Sequence, residues 1–192
     1  MNSSQNSEVI LEVRNVSFGY DEREIISNIN LELRDNELVS LLGVSGSGKS
    51  TLFNIIAGLL KPDAGKVIYR GEDITGKSGI ISYSFQKDLL LPYMTIEENV
   101  ALPLFIKKQK KSNALVKANK LLKEFKLDAY AKKYPKELSG GMRQRVMIAL
   151  AMSCNPSLLI ADEPTTALDV TVQAQILDLI KTMSKDMGTS VI

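Results

Sequence analysis

The chain has 192 residues, of which 44% are hydrophobic, 24% charged and 6% aromatic, a composition typical of a globular protein. One cysteine and no histidine exclude zinc sites built on these residues, paired redox thiols and catalytic centres that need a histidine base. The longest uninterrupted apolar run covers residues 146–152, far short of the roughly 18 residues of a membrane-spanning helix. We therefore expect a single soluble, cytosolic domain.

The net charge of +2 hides an uneven distribution of lysine. Between Lys107 and Lys136 there are 11 lysines and two acidic residues, so this stretch carries +9. The remaining 13 basic and 20 acidic residues give −7. A solvated helical face is the favoured interpretation, and a position beside an anionic membrane surface is the alternative.

Alternating apolar and polar residues predict two half-buried strands before residue 35, joined near residues 21–24. A slip of parity near Asn15 predicts a bulge in the first strand. Residues 38–42 form a nearly continuous apolar run, which predicts a strand covered on both faces, as in a parallel sheet. A glycine-rich loop and then apolar residues at helical spacing over residues 52–59 follow, giving the order strand, loop, helix.

Short strands are predicted at residues 67–69 and 80–85, and the pattern becomes helical after Gln86. A capping box begins at Thr95. Residues 115–125 carry one apolar stripe between lysines, so the lysine-rich block is predicted to be helical.

The last third of the chain alternates helix and strand. A helix over about residues 141–154 precedes a second fully buried strand at residues 158–161. An amphipathic helix over residues 170–187 is predicted to end at Gly188. Residues 190–192 begin another strand in the middle of an α/β unit, and we therefore expect that the C-terminal end of the domain is missing.

Residues 43–50 read GVSGSGKS, the pattern of a phosphate loop, in which backbone N–H groups surround an anion at a helix N-terminus. A chance match in such a chain is on the order of 1%, so a plain glycine-rich turn is the weaker interpretation. Lys49 is expected to contact the β and γ phosphates, and the Ser50 hydroxyl to coordinate Mg²⁺. The predicted nucleotide-binding residues of the loop are Gly43, Ser45, Gly46, Ser47, Gly48, Lys49, Ser50 and Thr51.

A second motif, LLIADE, places Asp162 and Glu163 at the end of an apolar strand. In a nucleotide-binding fold such a strand ends beside the phosphate loop. Asp162 is then expected to hold the Mg²⁺ shell, and Glu163 to be the base for the attacking water. An exposed acidic pair is the alternative, and it becomes the minor interpretation beside a phosphate loop.

A third motif, LSGGMRQR at residues 138–145, begins a helix with a serine cap and two glycines. Helix capping alone is one explanation. A second anion site is the other, and dimerisation would explain it, because this site could close over the γ-phosphate held by another subunit.

Together the phosphate loop, Gln86 after a strand, LSGGM, LLIADE and TTALD at residues 165–169 resemble the ATP-binding subunits of ABC transporters over essentially the whole chain. The resemblance implies an α/β fold, with a RecA-like P-loop NTPase core built on a parallel sheet, an antiparallel β subdomain and an inserted helical subdomain. The implied core covers residues 8–87 and 155–192, and the helical subdomain residues 88–154.

The same resemblance assigns further roles. Tyr20, which lies 23 residues before Gly43, is implied to stack on adenine, although a strand-edge aromatic is the plain alternative. Gln86 is implied to sense Mg²⁺ and the attacking water. The signature residues are Leu138, Ser139, Gly140 and Gly141, and residues 139–141 are implied to bind the γ-phosphate held by the opposite subunit. The residues implied to cross the dimer interface are Ala167, Leu168 and Asp169. The catalytic set is Glu163, Gln86 and Lys49, and the Mg²⁺ set is Ser50, Gln86 and Asp162.

In the family, a histidine that contacts the γ-phosphate normally follows the strand that begins here at residues 191–192, and the final strands come after it. We interpret the lack of both here as truncation. Residues 86–102 resemble importers of the nitrate, sulfonate, taurine and pyrimidine-precursor type. Residues 138–180 look more like dipeptide, oligopeptide and nickel importer ATPases. Both resemblances indicate import and leave the solute open.

The expected function is therefore transport-coupled hydrolysis of ATP with Mg²⁺. The expected partners are a second ABC ATPase subunit, identical or not, transmembrane permease subunits and a solute-binding protein, with no nucleic acid. The chain would lie on the cytoplasmic side of the membrane as a peripheral subunit. A soluble non-transport ABC ATPase is the alternative, but those of DNA repair and chromosome structure insert a long coiled coil, and only 88 positions separate Ser50 from Leu138. A non-hydrolysing nucleotide switch is disfavoured by Glu163.

Overall fold

Five α-helices and seven strands make up the part of the chain that the computed structural model describes, which is residues 8–21, 23–44, 46–165 and 168–192. The strands are β1 (Val9–Tyr20), β2 (Arg23–Arg34), β3 (Ala64–Tyr69), β4 (Glu72–Asp73), β5 (Ser82–Ser84), β6 (Leu158–Ala161) and β7 (Ser190–Val191). The helices are α1 (Lys49–Ile56), α2 (Ile96–Ile106), α3 (Lys111–Glu124), α4 (Gly140–Met152) and α5 (Val170–Met187). The helix predicted over residues 170–187 thus has the predicted bounds, and the other boundaries shift by a few residues.

The first sheet is antiparallel, with strand order β2-β1-β3-β4. The two long predicted strands pair through Leu11 with Leu33 and Val16 with Ile29. The register shifts between Val13 and Val16, and Asn15 has a φ of 50°. The predicted bulge is therefore confirmed.

The second sheet is parallel, with order β5-β6-β7. Tyr83 pairs with Ile160, and Leu159 with Val191. Leu158, Leu159 and Ile160 are at most 1% exposed, so β6 is the buried strand that the sequence predicts.

The prediction of a doubly covered strand at residues 38–42 is wrong. Among these described residues only Leu38 forms a β-bridge, parallel to Val191, and the Val39 N–H donates to the Val191 carbonyl at 2.9 Å. Leu38 is 49% and Leu42 93% exposed, while Val39 and Leu41 pack on the core. The segment lies along the edge of the sheet with one face covered, and an apolar run does not reveal how many faces are covered.

Two apolar clusters meet at β6. One contains residues of β1, β3 and α1 together with Leu158 and Ile160, and the other contains residues of α2 to α5 together with Leu159. Successive strand residues point to opposite faces, so β6 contributes to both clusters. Its C-terminal end, where Asp162 follows, therefore lies between them. The division into core and helical subdomain by residue range stays a prediction.

The start of α2 is tied to the segment that precedes it. Thr95 and Glu98 form the predicted capping box. The fully buried Asn99 side chain accepts a hydrogen bond from the Leu91 N–H at 2.7 Å and donates to the carbonyls of Leu91, Met94 and Thr95. Because four hydrogen bonds join one buried side chain to the backbone of this segment, they fix the path of residues 91–95.

All 11 lysines of the basic stretch are exposed, as a solvated face requires. Three of them form ion pairs with glutamates outside the stretch: Lys111 with Glu98, Lys132 with Glu97, and Lys133 with Glu137. No helix among the described residues is long and apolar enough to cross a membrane.

Candidate active site

The glycine-rich loop ends where α1 begins, at Lys49. Gly48 caps this helix with a φ of 89°, and a Cβ there would lie 2.6 Å from Ile26 Cγ2, so only glycine fits. The Ser47 N–H donates to the Val44 carbonyl at 3.2 Å and tightens the turn. Ser45 lies outside the described residues. The predicted loop at a helix N-terminus is present.

Lys49 folds back over the loop. Its Nζ donates to the Gly43 carbonyl at 2.8 Å and to the Val44 carbonyl at 3.1 Å. Both acceptors are neutral, and hydrogen bonds between an ammonium and an anion are stronger. A phosphate at the loop would therefore compete well for this ammonium.

Asp162 follows β6, and its carboxylate is 5% exposed. Ser50 Oγ donates to Oδ1 at 3.2 Å, which joins the phosphate loop to the LLIADE motif as predicted. Tyr83 OH donates to Oδ2 at 3.0 Å. Burial, together with the neighbouring Asp162 carboxylate, raises the pKa of the Tyr83 phenol above its ordinary value. No pattern in the sequence predicts a role for Tyr83 at this site.

Gln86 and Glu163 are brought together although they lie 77 residues apart. Gln86 Nε2 donates to Glu163 Oε2 at 2.8 Å. Glu163 is exposed and has a φ of 45°, a region that non-glycine residues rarely adopt. Eight other non-glycine residues of the described chain also have a positive φ, so this feature does not single out Glu163, and its role as the base stays a prediction.

The donor set at this edge of the sheet fits Mg²⁺. Ser50 Oγ and Asp162 Oδ1 are both oxygens, they lie 3.2 Å apart, and Mg²⁺ prefers oxygen ligands. Gln86 would add its amide oxygen while its nitrogen stays on Glu163. These three residues are the predicted Mg²⁺ set.

The signature residues form the start of α4. Ser139 caps the helix, with its Oγ accepting from the Met142 N–H at 3.4 Å. Ser139 and Gly140 are exposed, whereas Leu138 is buried and its carbonyl accepts from Arg143 Nη1 at 2.6 Å. The backbone N–H groups at this helix N-terminus thus lie at the surface.

An ion pair joins the Gln86 segment to the signature helix. Arg143 Nε lies 2.8 Å from Asp88 Oδ2. Asp88 comes two residues after Gln86, and Arg143 four residues after Ser139. No pattern in the sequence predicts this contact. The two residues carry opposite charges, but their separation along the chain does not show whether they lie close together in the fold.

The remaining predicted residues have local contacts. Tyr20 is 53% exposed at the end of β1 and packs edge-to-face on Phe18 with ring centroids 4.9 Å apart. Asp169 caps α5 by accepting from the Val172 N–H at 3.0 Å, and Leu168 packs on the helical cluster. Ala167 lies outside the described residues. The proposed roles of these residues in adenine stacking and dimer contact stay predictions.

A phosphate loop at a helix N-terminus, bonded through Ser50 to an Asp-Glu pair after a buried parallel strand, defines a P-loop NTPase. Residues 26–166 match the family described as ABC transporter. The chain belongs to this family, and it is an ABC ATPase domain.

Known proteins agree with this assignment. The sulfate/thiosulfate import ATP-binding protein CysA of Pseudomonas syringae is 38% identical over 93% of this chain, which spans 57% of that protein. The lipoprotein-releasing system ATP-binding protein LolD of Francisella tularensis is 41% identical over 96% of this chain and 86% of its own length. A dimeric ATP-binding cassette solved in a post-hydrolysis state with ADP and Pi is 35% identical, with a TM-score of 0.83 over 95% of this chain and 86% of its own.

Proposed function

We propose that the chain hydrolyses ATP for an ABC importer, as one of two ATPase subunits on the cytoplasmic face of a membrane. The supporting observation is the hydrogen bond between Gln86 and Glu163 beside the Ser50–Asp162 pair. This contact supports Glu163 as the base and Gln86 as the amide that orients the water, close to the predicted Mg²⁺ ligands Ser50 and Asp162. A solute-binding protein would deliver the solute to the permease.

In the proposed reaction, Tyr20 stacks on adenine, and the backbone amides of the loop hold the phosphates. Lys49 moves from its two carbonyls to the β and γ phosphates and offsets their charge. Ser50 and Asp162 would hold Mg²⁺, which would supply positive charge against the charge that develops on the transferred phosphoryl group. Glu163 accepts the proton of the attacking water, which the Gln86 amide orients.

The proposed dimer is head to tail. The N-terminus of α4 exposes Ser139 and Gly140, and backbone N–H groups at a helix N-terminus favour an anion. The γ-phosphate held by the partner subunit would be that anion, with Leu168 and Asp169 near the interface. The Asp88–Arg143 ion pair would connect this contact to Gln86.

The permease would dock on the predicted helical subdomain, residues 88–154. Four apolar side chains of this region are half to three-quarters exposed: Leu89, Tyr93, Ile106 and Val116. Leu89 and Tyr93 lie four residues apart in one exposed segment and would supply the apolar part of this contact. Leu89 and Tyr93 belong to the segment that follows Gln86, and Asn99 fixes its path. Movement of the permease would therefore reach Gln86 through this segment.

Import is favoured by the importer-like sequences around Gln86 and after Leu138, and by the import protein CysA among the relatives. LolD, named for lipoprotein release, supports the opposite direction as a second candidate. The two candidate functions predict different defects in cells that lack the activity. An importer supplies a small solute, and a release system removes lipoproteins from the membrane.

Replacing Glu163 with Gln in the full-length protein tests both the chemistry and the direction. Because the base is lost and the shape kept, hydrolysis should fall by on the order of 10²- to 10⁴-fold while ATP still binds. Cells with this variant should lose uptake of one solute in a labelled panel. Glu124→Gln, on the exposed face of α3, is the control and should change neither.

Near-normal hydrolysis by Glu163→Gln would remove Glu163 from the mechanism. Retained uptake of every solute, together with lipoproteins held back in the membrane, would overturn import in favour of release. Loss of hydrolysis with neither transport defect would favour the soluble ABC ATPase.

A further inference from the structure

The Asp162 carboxylate is buried and has a hydroxyl on each oxygen. Ser50 Oγ donates to Oδ1 at 3.2 Å and Tyr83 OH to Oδ2 at 3.0 Å. With 5% of Asp162 exposed, water can supply little of the hydrogen bonding that a buried charge needs. The two hydroxyls come from different elements, the phosphate loop helix α1 and the strand β5. They therefore fix the carboxylate from two directions.

The sheet places the Tyr83 ring at this position. Tyr83 pairs with Ile160 and Ser84 with Ala161 across the parallel β5–β6 ladder. The Asp162 N–H donates to the Ser84 carbonyl at 3.1 Å, which extends the ladder by one residue and fixes the backbone of Asp162. The register thus brings Tyr83 beside a carboxylate that lies 79 residues further along the chain.

Packing holds the Tyr83 ring once it is there. Tyr83 is half-buried against the apolar cluster formed by β1, β3 and α1, and its ring lies 4.3 Å from that of Phe85, measured between centroids. A packed aromatic ring has few alternative positions. Its hydroxyl is therefore a fixed donor and not a mobile one.

We propose that Tyr83 is a positioning residue of the Mg²⁺–ATP site: its hydroxyl holds Asp162 so that Oδ1 stays directed at Ser50. This inference rests on the proposed roles of Ser50 and Asp162 as Mg²⁺ ligands. Tyr83 contacts neither phosphate nor metal in this role and acts through Asp162. Groups that orient a metal's ligands typically change metal affinity or activity by about 10- to 100-fold when they are removed.

The test is binding of a non-hydrolysable ATP analogue to the full-length protein, measured by titration with Mg²⁺ and with EDTA. Tyr83→Phe keeps the ring and removes the hydroxyl. We expect its affinity in EDTA to equal that of the wild type, and the Mg²⁺ concentration needed for half-maximal enhancement to rise by about 10-fold or more. Replacing Tyr83 with 4-aminophenylalanine, which restores a donor at the ring position, should return the Mg²⁺ dependence towards the wild-type value.

Tyr69→Phe is the matched control, because Tyr69 is also a half-buried tyrosine packed on the same apolar cluster. It should leave the Mg²⁺ dependence unchanged. An unchanged Mg²⁺ dependence in Tyr83→Phe, even with a lowered melting temperature, would show a purely structural role and overturn the proposal. If Mg²⁺ does not raise the affinity of the wild-type protein for the ATP analogue, the proposed function and this proposal are both wrong. Tyr83→Phe could fail to fold while the 4-aminophenylalanine variant folds. If that folded variant still shows a weakened Mg²⁺ dependence, the hydrogen-bond donor at this position serves only the stability of the fold, and the proposal is wrong.

Discussion

The hydrogen bonds of Lys49 are expected to change when a nucleotide binds. Its ammonium is shared between the carbonyls of Gly43 and Val44, and a phosphate offers it an ionic partner. A hydrogen bond to a charged group contributes about 1.5–3 kcal/mol, so Lys49→Ala should weaken ATP binding by about 10- to 100-fold. Titration with ATP at fixed Mg²⁺ measures this loss. Lys120→Ala, an exposed lysine of α3, serves as the control.

An ATP affinity of Lys49→Ala equal to that of the control would remove the lysine from the phosphate site. A drop in affinity accompanied by unfolding would have a different cause, because the same ammonium also ties the loop together. The melting temperature of the variant separates the two outcomes.

Individual site residues were predictable where the chemistry restricts the residue type. Phosphate and Mg²⁺ sites need a lysine, a hydroxyl and carboxylates at set spacings, so Lys49, Ser50 and Asp162 were identified from sequence. Tyr83 was not, because a tyrosine in an apolar strand predicts packing. Nothing in the sequence shows that its hydroxyl meets a carboxylate 79 residues away.

The two glycines of the signature differ in the space that the packing of α4 on α5 leaves around them. A Cβ on Gly141 would lie 2.7 Å from Val172 Cγ1, whereas one on Gly140 would meet Leu168 Cδ2 at 3.6 Å, an ordinary contact. Valine is stiff at χ1, so the helices must move apart to admit the extra methyl group. We expect Gly141→Ala to lower the free energy of unfolding by about 1–3 kcal/mol and Gly140→Ala to leave it nearly unchanged or raised.

Urea denaturation of both variants measures this difference. The free energy of unfolding should separate them by more than 1 kcal/mol, a figure set by the cost of overpacking, about 1–3 kcal/mol. Equal stability of the two variants would mean that α4 and α5 do not pack as closely as described.

Helices and strands were predictable where a local sequence pattern marks them, such as a fully apolar strand, a capping box or a regular repeat of apolar residues. The buried strand β6, the capping box of α2 and the amphipathic helix α5 each follow from a local pattern. The prediction of a doubly covered strand at residues 38–42 was wrong, because a local pattern does not show where the segment lies in the sheet. Their apolar run suits a central strand, but the segment borders Val191 at the edge of the sheet, which only the tertiary structure reveals.

At the scale of the molecule, the site lies where two apolar clusters share one strand. Leu158 and Ile160 belong to one cluster and Leu159 to the other, and Asp162 follows directly. The hydrogen bond of Gln86 to Glu163 and the ion pair of Asp88 with Arg143 add two links from the segment after β5. A relative movement of the two clusters would therefore act on Gln86 and Glu163, the predicted catalytic residues.

The central claim is that ATP is hydrolysed between two subunits, each supplying a different anion site. Gly140→Asp adds a carboxylate at an exposed helix N-terminus with room for a side chain, so the subunit should fold and bind ATP but not hydrolyse it. Lys49→Ala should fail earlier, at binding.

The most direct measurement is the ATPase rate of the two full-length variants, Lys49→Ala and Gly140→Asp, alone and mixed. In a mixed dimer, the intact loop of the Gly140→Asp subunit faces the intact signature of the Lys49→Ala subunit. At an ATP concentration that saturates Gly140→Asp but lies below the dissociation constant of Lys49→Ala, each variant alone should be inactive. ATPase activity should therefore return on mixing. Loss of ATP binding by Gly140→Asp alone, or no recovery from two folded variants that form mixed dimers, would contradict the account.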